Sequence, residues 1–161
     1  MAQFIRDVRK DLGAPQLPFA IGVFGVNGPG NQYGPDQQRY KSTHQNFRDA
    51  MAAPASQPEF KSNVAAVLTE NYWDAELDEL KSRGGKVKAK SQELNKDQSL
   101  NRQQREEALA EFRANLYTPR ELEILKGSSN AAYHYNGSAK IMAQIGKGFA
   151  DAIAELRESQ N

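Results

Sequence analysis

Residues 17–26, LPFAIGVFGV, give the strongest indication of the fold class. The segment is apolar at nearly every position and lies between proline and glycine. This pattern is typical of a strand covered on both faces, as in a parallel sheet. Residues 63–70, NVAAVLTE, predict a second short buried strand. The chain is therefore expected to contain at least two neighbouring strands of an α/β sheet.

The segments around these strands predict one crossover unit. Residues 27–36, NGPGNQYGPD, hold too many glycines and prolines for a helix and must form a loop. Residues 44–53, HQNFRDAMAA, are a helix candidate that ends before Pro54. Ahead of the first strand, an amphipathic helix is predicted by the stripe Phe4, Ile5, Val8 and Leu12. The order helix, strand, loop, helix, strand is typical of a right-handed crossover.

The second half of the chain predicts mainly helices. Residues 71–80 favour a short helix, whereas residues 81–101 have little to bury and are expected to be mobile or a polar pair of helices. Residues 102–116 and 119–127 are predicted to form two further helices. From Gly137 onward, a final helix with one buried face is predicted by Ile141, Ile145, Phe149, Ile153 and Leu156. Because two strands are too few for a sheet that such helices could cover, the architecture looks incomplete.

Composition excludes several classes of protein. The 161 residues suffice for one domain, and a formal net charge of +1 predicts binding neither to nucleic acid nor to an acidic membrane. Without cysteine there is no thiolate chemistry. No apolar run approaches the ~20 residues needed to span a bilayer, and residues 1–13 carry charges where a signal peptide is apolar. The acidic clusters lack metal-ligand spacing, so neither a metal nor a cofactor is predicted.

His134 is the first candidate for chemistry. It is one of only two histidines, it lies between Tyr133 and Tyr135, and it precedes the last helix. The positive end of a helix disfavours imidazolium, which would keep the ring neutral and suited to a general base. The alternative is a histidine that simply satisfies a hydrogen bond in a loop.

The partners that a general base needs are harder to find. Asn130 could orient the imidazole of His134, although a loop asparagine more often bonds its own backbone. Asn136 could cap the last helix, and Ser138 reads as a residue of its first turn. No Gly-x-Ser-x-Gly elbow exists in the sequence, so no nucleophile is evident. His44 is expected at the surface, at the start of a helix.

Several segments together resemble a known family. They resemble, in order, the carboxy-terminal part of sialate O-acetylesterase-like proteins of the SGNH hydrolase superfamily: FIRDVRKDLGAPQLPFAIGVFGVNGP, FRDAMAAPASQPEFKSNVAAVLT, YWDAELDEL and GSSNAAYHYNGSAKIMAQIGKGFADAI. The resemblance implies a flavodoxin-like three-layer α/β/α SGNH hydrolase fold. Residues 1–161 would be a partial domain whose amino-terminal half is missing, and residues 81–118 a charged helical insertion.

The resemblance also implies a site. His134 matches the family's catalytic histidine, and Tyr135 beside it is expected to line the substrate site. The loop pattern itself, through the G-x-N element at 25–27, makes Asn27 a further candidate for lining that site. The family's Gly-Gln-Ser-Asn-like serine segment and Gly-x-Asn-Asp-like oxyanion segment are absent. The expectation is the carboxy-terminal segment of a serine carbohydrate O-acetylesterase, inactive alone, whose substrate is an acetylated carbohydrate.

An alternative is a non-catalytic interaction or carbohydrate-binding domain. In either case an exposed sheet edge favours self-association. The parent family is often secreted or periplasmic, but the sequence itself predicts no compartment.

Overall fold

The sheet has two parallel strands. The computed structural model describes residues 1–159. Strand β1 (Phe19–Val23) pairs with β2 (Val64–Leu68), with Phe19 opposite Val64 and Val23 opposite Leu68. Both predicted strands are confirmed. Because the strands run in the same direction, their carboxyl ends lie at one edge of the sheet.

Three long helices surround the strands. Helix α1 (Ala2–Asp11) precedes β1, α2 (Lys41–Ala52) connects the two strands, and α7 (Ala139–Glu158) packs against both of them. All three helices were predicted, α1 and α7 from apolar periodicity and α2 as a helix ending before Pro54. Between them lie short 3-10 turns at Gly30–Gln32, Pro35–Tyr40, Ala53–Ser56, Thr69–Tyr72 and Ala132–Gly137.

Four helices follow β2 and form a separate layer. They are α3 (Ala75–Ser82), α4 (Gly84–Lys96), α5 (Arg102–Leu116) and α6 (Pro119–Lys126). Of the two outcomes expected for residues 81–101, the pair of helices is the one observed. Helix α4 forms because Val87 and Leu94, seven positions apart, fall on one face and are buried.

Two clusters account for part of the apolar interior. Ile5, Ile21, Phe60 and Val64 are buried beneath α1 and beside the sheet. Leu80, Val87 and Tyr117 are buried between α3, α4 and the segment after α5. The sheet and the helical layer therefore have separate cores.

The predicted three-layer flavodoxin-like α/β/α SGNH hydrolase fold is wrong for this chain. Helices account for 69% of the structure and the single sheet has two strands, whereas such a fold needs a larger sheet. The physical reason lies after β2, where the sequence is rich in Lys, Glu, Gln and Arg. These residues favour helices, which bury their apolar stripes against one another instead of covering a sheet. Self-association through a strand edge stays a prediction.

Candidate functional site

A chain of hydrogen bonds joins the carboxyl ends of both strands to the turn Ala132–Gly137. The Thr69 hydroxyl donates to the carbonyl oxygen of Val23 at 2.6 Å. It also lies 2.7 Å from the hydroxyl of Tyr135, which accepts from the N–H of Gly25 at 3.0 Å. Since Thr69 has only one hydroxyl proton, Tyr135 must be the donor between the two hydroxyls. The three bonds then run in one direction, from Gly25 through Tyr135 and Thr69 to Val23.

The turn that carries Tyr135 has an unusual backbone. Tyr135 and Asn136 both have left-handed dihedral angles, with φ of 50° and 59°. The side chain of Asn136 is buried, and its backbone carbonyl accepts from the N–H groups of Ser129 and Asn130, both at 3.1 Å. These contacts hold the costly conformation in place. The turn is therefore fixed on one side by the strand ends and on the other by residues 129–130.

The helix that follows is capped by serine. Ser138 is the N-cap of α7, and its hydroxyl accepts from the N–H of Ile141 at 3.3 Å. Asn136, predicted as a possible cap, is instead buried within the turn. Its carbonyl and N–H are both used by neighbouring loop residues, so its role is to shape the approach to α7.

His134 is exposed at the outer side of this turn. Its N–H donates to the carbonyl oxygen of Ala131 at 3.0 Å, and its ring lies 4.5 Å, centroid to centroid, from the ring of Tyr133. Among the residues the structure describes, the imidazole nitrogens have no hydrogen-bond partner. The ring is thus open to solvent, where an incoming group can reach it.

The turn does not bring Asn130 onto the imidazole. The side-chain oxygen of Asn130 accepts from the N–H of Ala131 at 2.8 Å, and its backbone carbonyl accepts from Lys81. The asparagine is therefore bonded to its own loop. Within residues 1–159 no carboxylate bonds to His134 either.

The hydroxyls of the serines near His134 in sequence donate hydrogen bonds to backbone carbonyls. Ser128 donates to the carbonyl oxygen of Leu125 at 3.0 Å, and Ser129 donates to that of Gly137 at 3.3 Å. In the part of the chain that is described, no serine hydroxyl bonds to the imidazole. This region therefore presents a candidate base without an adjacent nucleophile.

Asn27 lies at the same edge of the sheet. It has a left-handed φ of 67° in a turn closed by a bond from the N–H of Gly28 to the carbonyl of Gly25, at 3.0 Å. Trp73 packs so closely on Gly28 that a Cβ there would lie 2.9 Å from its Cδ1, and its ring lies 6.3 Å from that of Tyr135. Trp73 thus lies between Tyr135 and the turn that contains Asn27 and Gly28.

Sequence reasoning missed Arg48. Its guanidinium, with a side chain 3% exposed, forms an ion pair with Glu70 at 2.5 Å. It also donates to the carbonyl oxygens of Phe24 at 3.0 Å and Gly28 at 2.7 Å, and to the hydroxyl of Tyr33 at 3.1 Å. One side chain therefore satisfies much of the loop after β1. The sequence did contain a pattern from which this role could have been inferred. A glycine-rich loop leaves several carbonyls unpaired, and an arginine follows in the next helix.

His44 lies in the first turn of α2, where a helix start was predicted, but it is half-buried against the same loop and not fully at the surface. Its Nδ1 is 2.7 Å from the hydroxyl of Tyr33, and its ring stacks on Tyr40 and contacts Phe24 edge-on. Burial, followed by the nearby charge of Arg48, lowers the pKa of His44 below its usual value. The neutral imidazole thus helps to pack the loop.

Residues 1–159 contain neither a cluster of metal ligands nor a helix suited to crossing a membrane. No three His, Asp or Glu side chains lie together as a metal-binding group would require. None of the helices in this part of the chain is long and apolar enough to cross a bilayer.

No protein-family model, curated protein or solved structure matches the chain. The resemblance to SGNH hydrolases therefore stays a prediction, which these comparisons neither support nor refute.

Proposed function

We propose that this chain supplies the general-base histidine of a serine carbohydrate O-acetylesterase whose nucleophilic serine lies outside residues 1–161. The observation that carries the proposal is the position of His134. The ring is exposed, and the neighbouring Tyr135 is tied to the carboxyl ends of both parallel strands. Ligands of open α/β sheets commonly bind at that edge.

The imidazole transfers protons in both halves of the reaction, the acetylation of the serine and the hydrolysis of the acetyl-serine. It takes the proton from the serine hydroxyl as the oxygen attacks the acetyl carbonyl, and it returns that proton to the sugar oxygen as the sugar departs. It then takes a proton from water as the water oxygen attacks the acetyl-serine, and it returns that proton to the serine oxygen as the ester bond breaks and acetate departs. Exposure of His134 suits this role, because the serine has to approach it from another segment.

Complementation tests the proposal. The chain is expected to hydrolyse p-nitrophenyl acetate and acetylated sugars no faster than buffer. Co-expression with the polypeptide encoded immediately upstream, where a Gly-Gln-Ser-Asn-like segment is expected, should restore turnover. His134→Gln should then reduce kcat by at least about a thousandfold, as for other members of catalytic triads.

His44→Gln is the matched control. It changes the only other histidine and should leave the restored turnover intact. Restored activity that survives His134→Gln would contradict the proposal. Strong turnover by the chain alone that His134→Gln abolishes would show that the serine lies within it and would refute its placement elsewhere.

A second candidate, a non-catalytic carbohydrate-binding domain, is favoured by Tyr133. This ring is 68% exposed beside His134, and the apolar faces of exposed aromatic rings are surfaces on which sugars stack. Under this reading, an acetylated sugar binds the chain without any upstream polypeptide. Tyr133→Ala would abolish that binding, whereas His134→Gln would leave it unchanged, and titration by NMR distinguishes the two cases.

A further inference from the structure

The helical layer leaves its apolar cluster partly uncovered. Only Leu80, Val87 and Tyr117 are buried in it. No residue of α5 or α6 is buried, although α5 is 15 residues long. Six apolar side chains are half-buried around the cluster: Leu109, Phe112, Leu116, Leu122, Ile124 and Leu125. Helices α5 and α6 thus present an apolar surface that nothing within residues 1–159 covers fully.

A groove runs along this surface. It has a volume of about 1090 Å³ and lies between α4, α5 and α6. Its apolar lining comes from Val87, Leu109, Leu122 and Leu125. Because its walls are helices, a further helix is the element whose side chains fit between theirs, as in a four-helix bundle.

The rim of the groove is basic. Lys81, Lys88, Arg113 and Lys126 border it, against a single acidic residue, Glu123, which pairs with Lys126 at 2.5 Å. The side chains of Lys88 and Arg113 have no hydrogen-bond or ion-pair partner among the described residues. Four positive charges against one negative charge favour an occupant that carries acidic side chains beside its apolar face.

We infer that this groove binds an acidic amphipathic helix of a partner protein. The apolar face of that helix covers the half-buried leucines, and its carboxylates pair with Lys88 and Arg113. The inference goes beyond the proposed function and does not depend on it, because it rests on residues of α4, α5 and α6 and not on His134.

Peptide binding to the full chain tests this inference. The probe is a labelled helical peptide of about 15 residues, the length of α5. It carries leucine on one face and glutamate at the other positions. Two peptides serve as references. One has lysine in place of glutamate, and the other has the same leucine and glutamate residues in an order that leaves no apolar face. Fluorescence anisotropy should show that the acidic amphipathic peptide binds at least about tenfold tighter than either.

Charge reversal locates the site. The double variant Lys88→Glu with Arg113→Glu should weaken binding by about tenfold or more, and raised salt should weaken it in the wild type. Lys86→Glu is the matched control, since Lys86 is exposed on the same helix but does not line the groove. Circular dichroism checks that each variant folds.

Three results would overturn the inference. The first is equal binding of the acidic and basic peptides, and the second is binding that the double reversal leaves unchanged. The third is self-association of the chain, measured by sedimentation, which the double reversal abolishes but the acidic peptide does not inhibit. That outcome would assign the groove to a second copy.

Discussion

The hydroxyl oxygen of Tyr135 lies 3.0 Å from the backbone nitrogen of Gly25, although 110 residues separate the two in sequence. This contact holds the turn of His134 against the end of β1. The same hydroxyl reaches Thr69, at the end of β2, at 2.7 Å. One phenol oxygen therefore connects the candidate base to both strands.

Tyr135→Phe should lower the free energy of unfolding by about 1–3 kcal/mol, because it leaves the buried N–H of Gly25 without an acceptor. Urea denaturation followed by far-UV circular dichroism measures this change. Tyr133→Phe is the matched control. Its ring is 68% exposed and its hydroxyl makes no hydrogen bond within the described residues, so stability should not change. Equal stability of the two variants would contradict the role given to Tyr135.

Gly25→Ala should destabilise the protein by about 1–3 kcal/mol or more. A Cβ at Gly25 would lie 2.2 Å from the backbone nitrogen of Glu70, and backbone atoms cannot rotate away as a side chain can. Gly146→Ala is the opposite case, because nothing lies within 4 Å of a Cβ there. Since Gly146 lies inside α7, alanine should raise stability by up to about 1 kcal/mol. Thermal unfolding of both variants tests the pair, and a stable Gly25→Ala would refute the close approach of the strand ends.

Arg48→Leu should cost about 3–5 kcal/mol, because it leaves the largely buried carboxylate of Glu70 without its ion-pair partner. The double variant with Glu70→Gln should recover part of that loss, which a double-mutant cycle measures. Arg102→Leu provides the control, since Arg102 is 92% exposed in an ion pair on the surface of α5. Strictly additive effects of Arg48→Leu and Glu70→Gln would show that the two side chains are not coupled.

The elements that local periodicity specifies could be predicted from the sequence. The stripe of α1, the apolar segments of β1 and β2 and the long stripe of α7 each require only neighbours in sequence. The extent of the sheet could not be predicted in the same way. It depends on whether the residues after Leu68 extend the sheet or pack on one another, and their charged, helix-favouring composition decides for helices.

In the candidate site, only residues that can be recognised from their type and their neighbours in sequence could be predicted. His134 stands out as a histidine in a polar loop ahead of a helix. The functions of Arg48 and Thr69 depend on loop carbonyls and strand ends far away in sequence, so nothing near them in the chain reveals these contacts. The orientation of Asn130 follows the commoner use of a loop asparagine, because its side-chain oxygen accepts from the N–H of Ala131 and not from the imidazole.

Asp74 contributes an interaction that depends on pH. Its carboxylate caps α3 by accepting from the N–H of Leu77 at 3.1 Å, and it pairs with Lys140 of α7 at 2.7 Å. Burial alone would raise the pKa of Asp74, but the hydrogen bonds from Lys140 and Leu77 outweigh it and hold the pKa below its ordinary value. The folded protein therefore favours the ionised carboxylate more than the unfolded chain does.

Asp74→Asn should remove this dependence while keeping the helix cap, because asparagine caps helices as well as aspartate. A carboxyl with a lowered pKa contributes stability that is fully present above its unfolded pKa, near 3.8, and is lost as the pH falls towards the folded value. The variant should lose about 1 kcal/mol at pH 7, and its free energy of unfolding should fall less steeply than that of the wild type below pH about 4. Urea denaturation across that range measures both effects. Asp151→Asn, on the exposed face of α7, should keep the slope of the wild type. An equally steep loss in Asp74→Asn would show that Asp74 does not contribute to acid sensitivity.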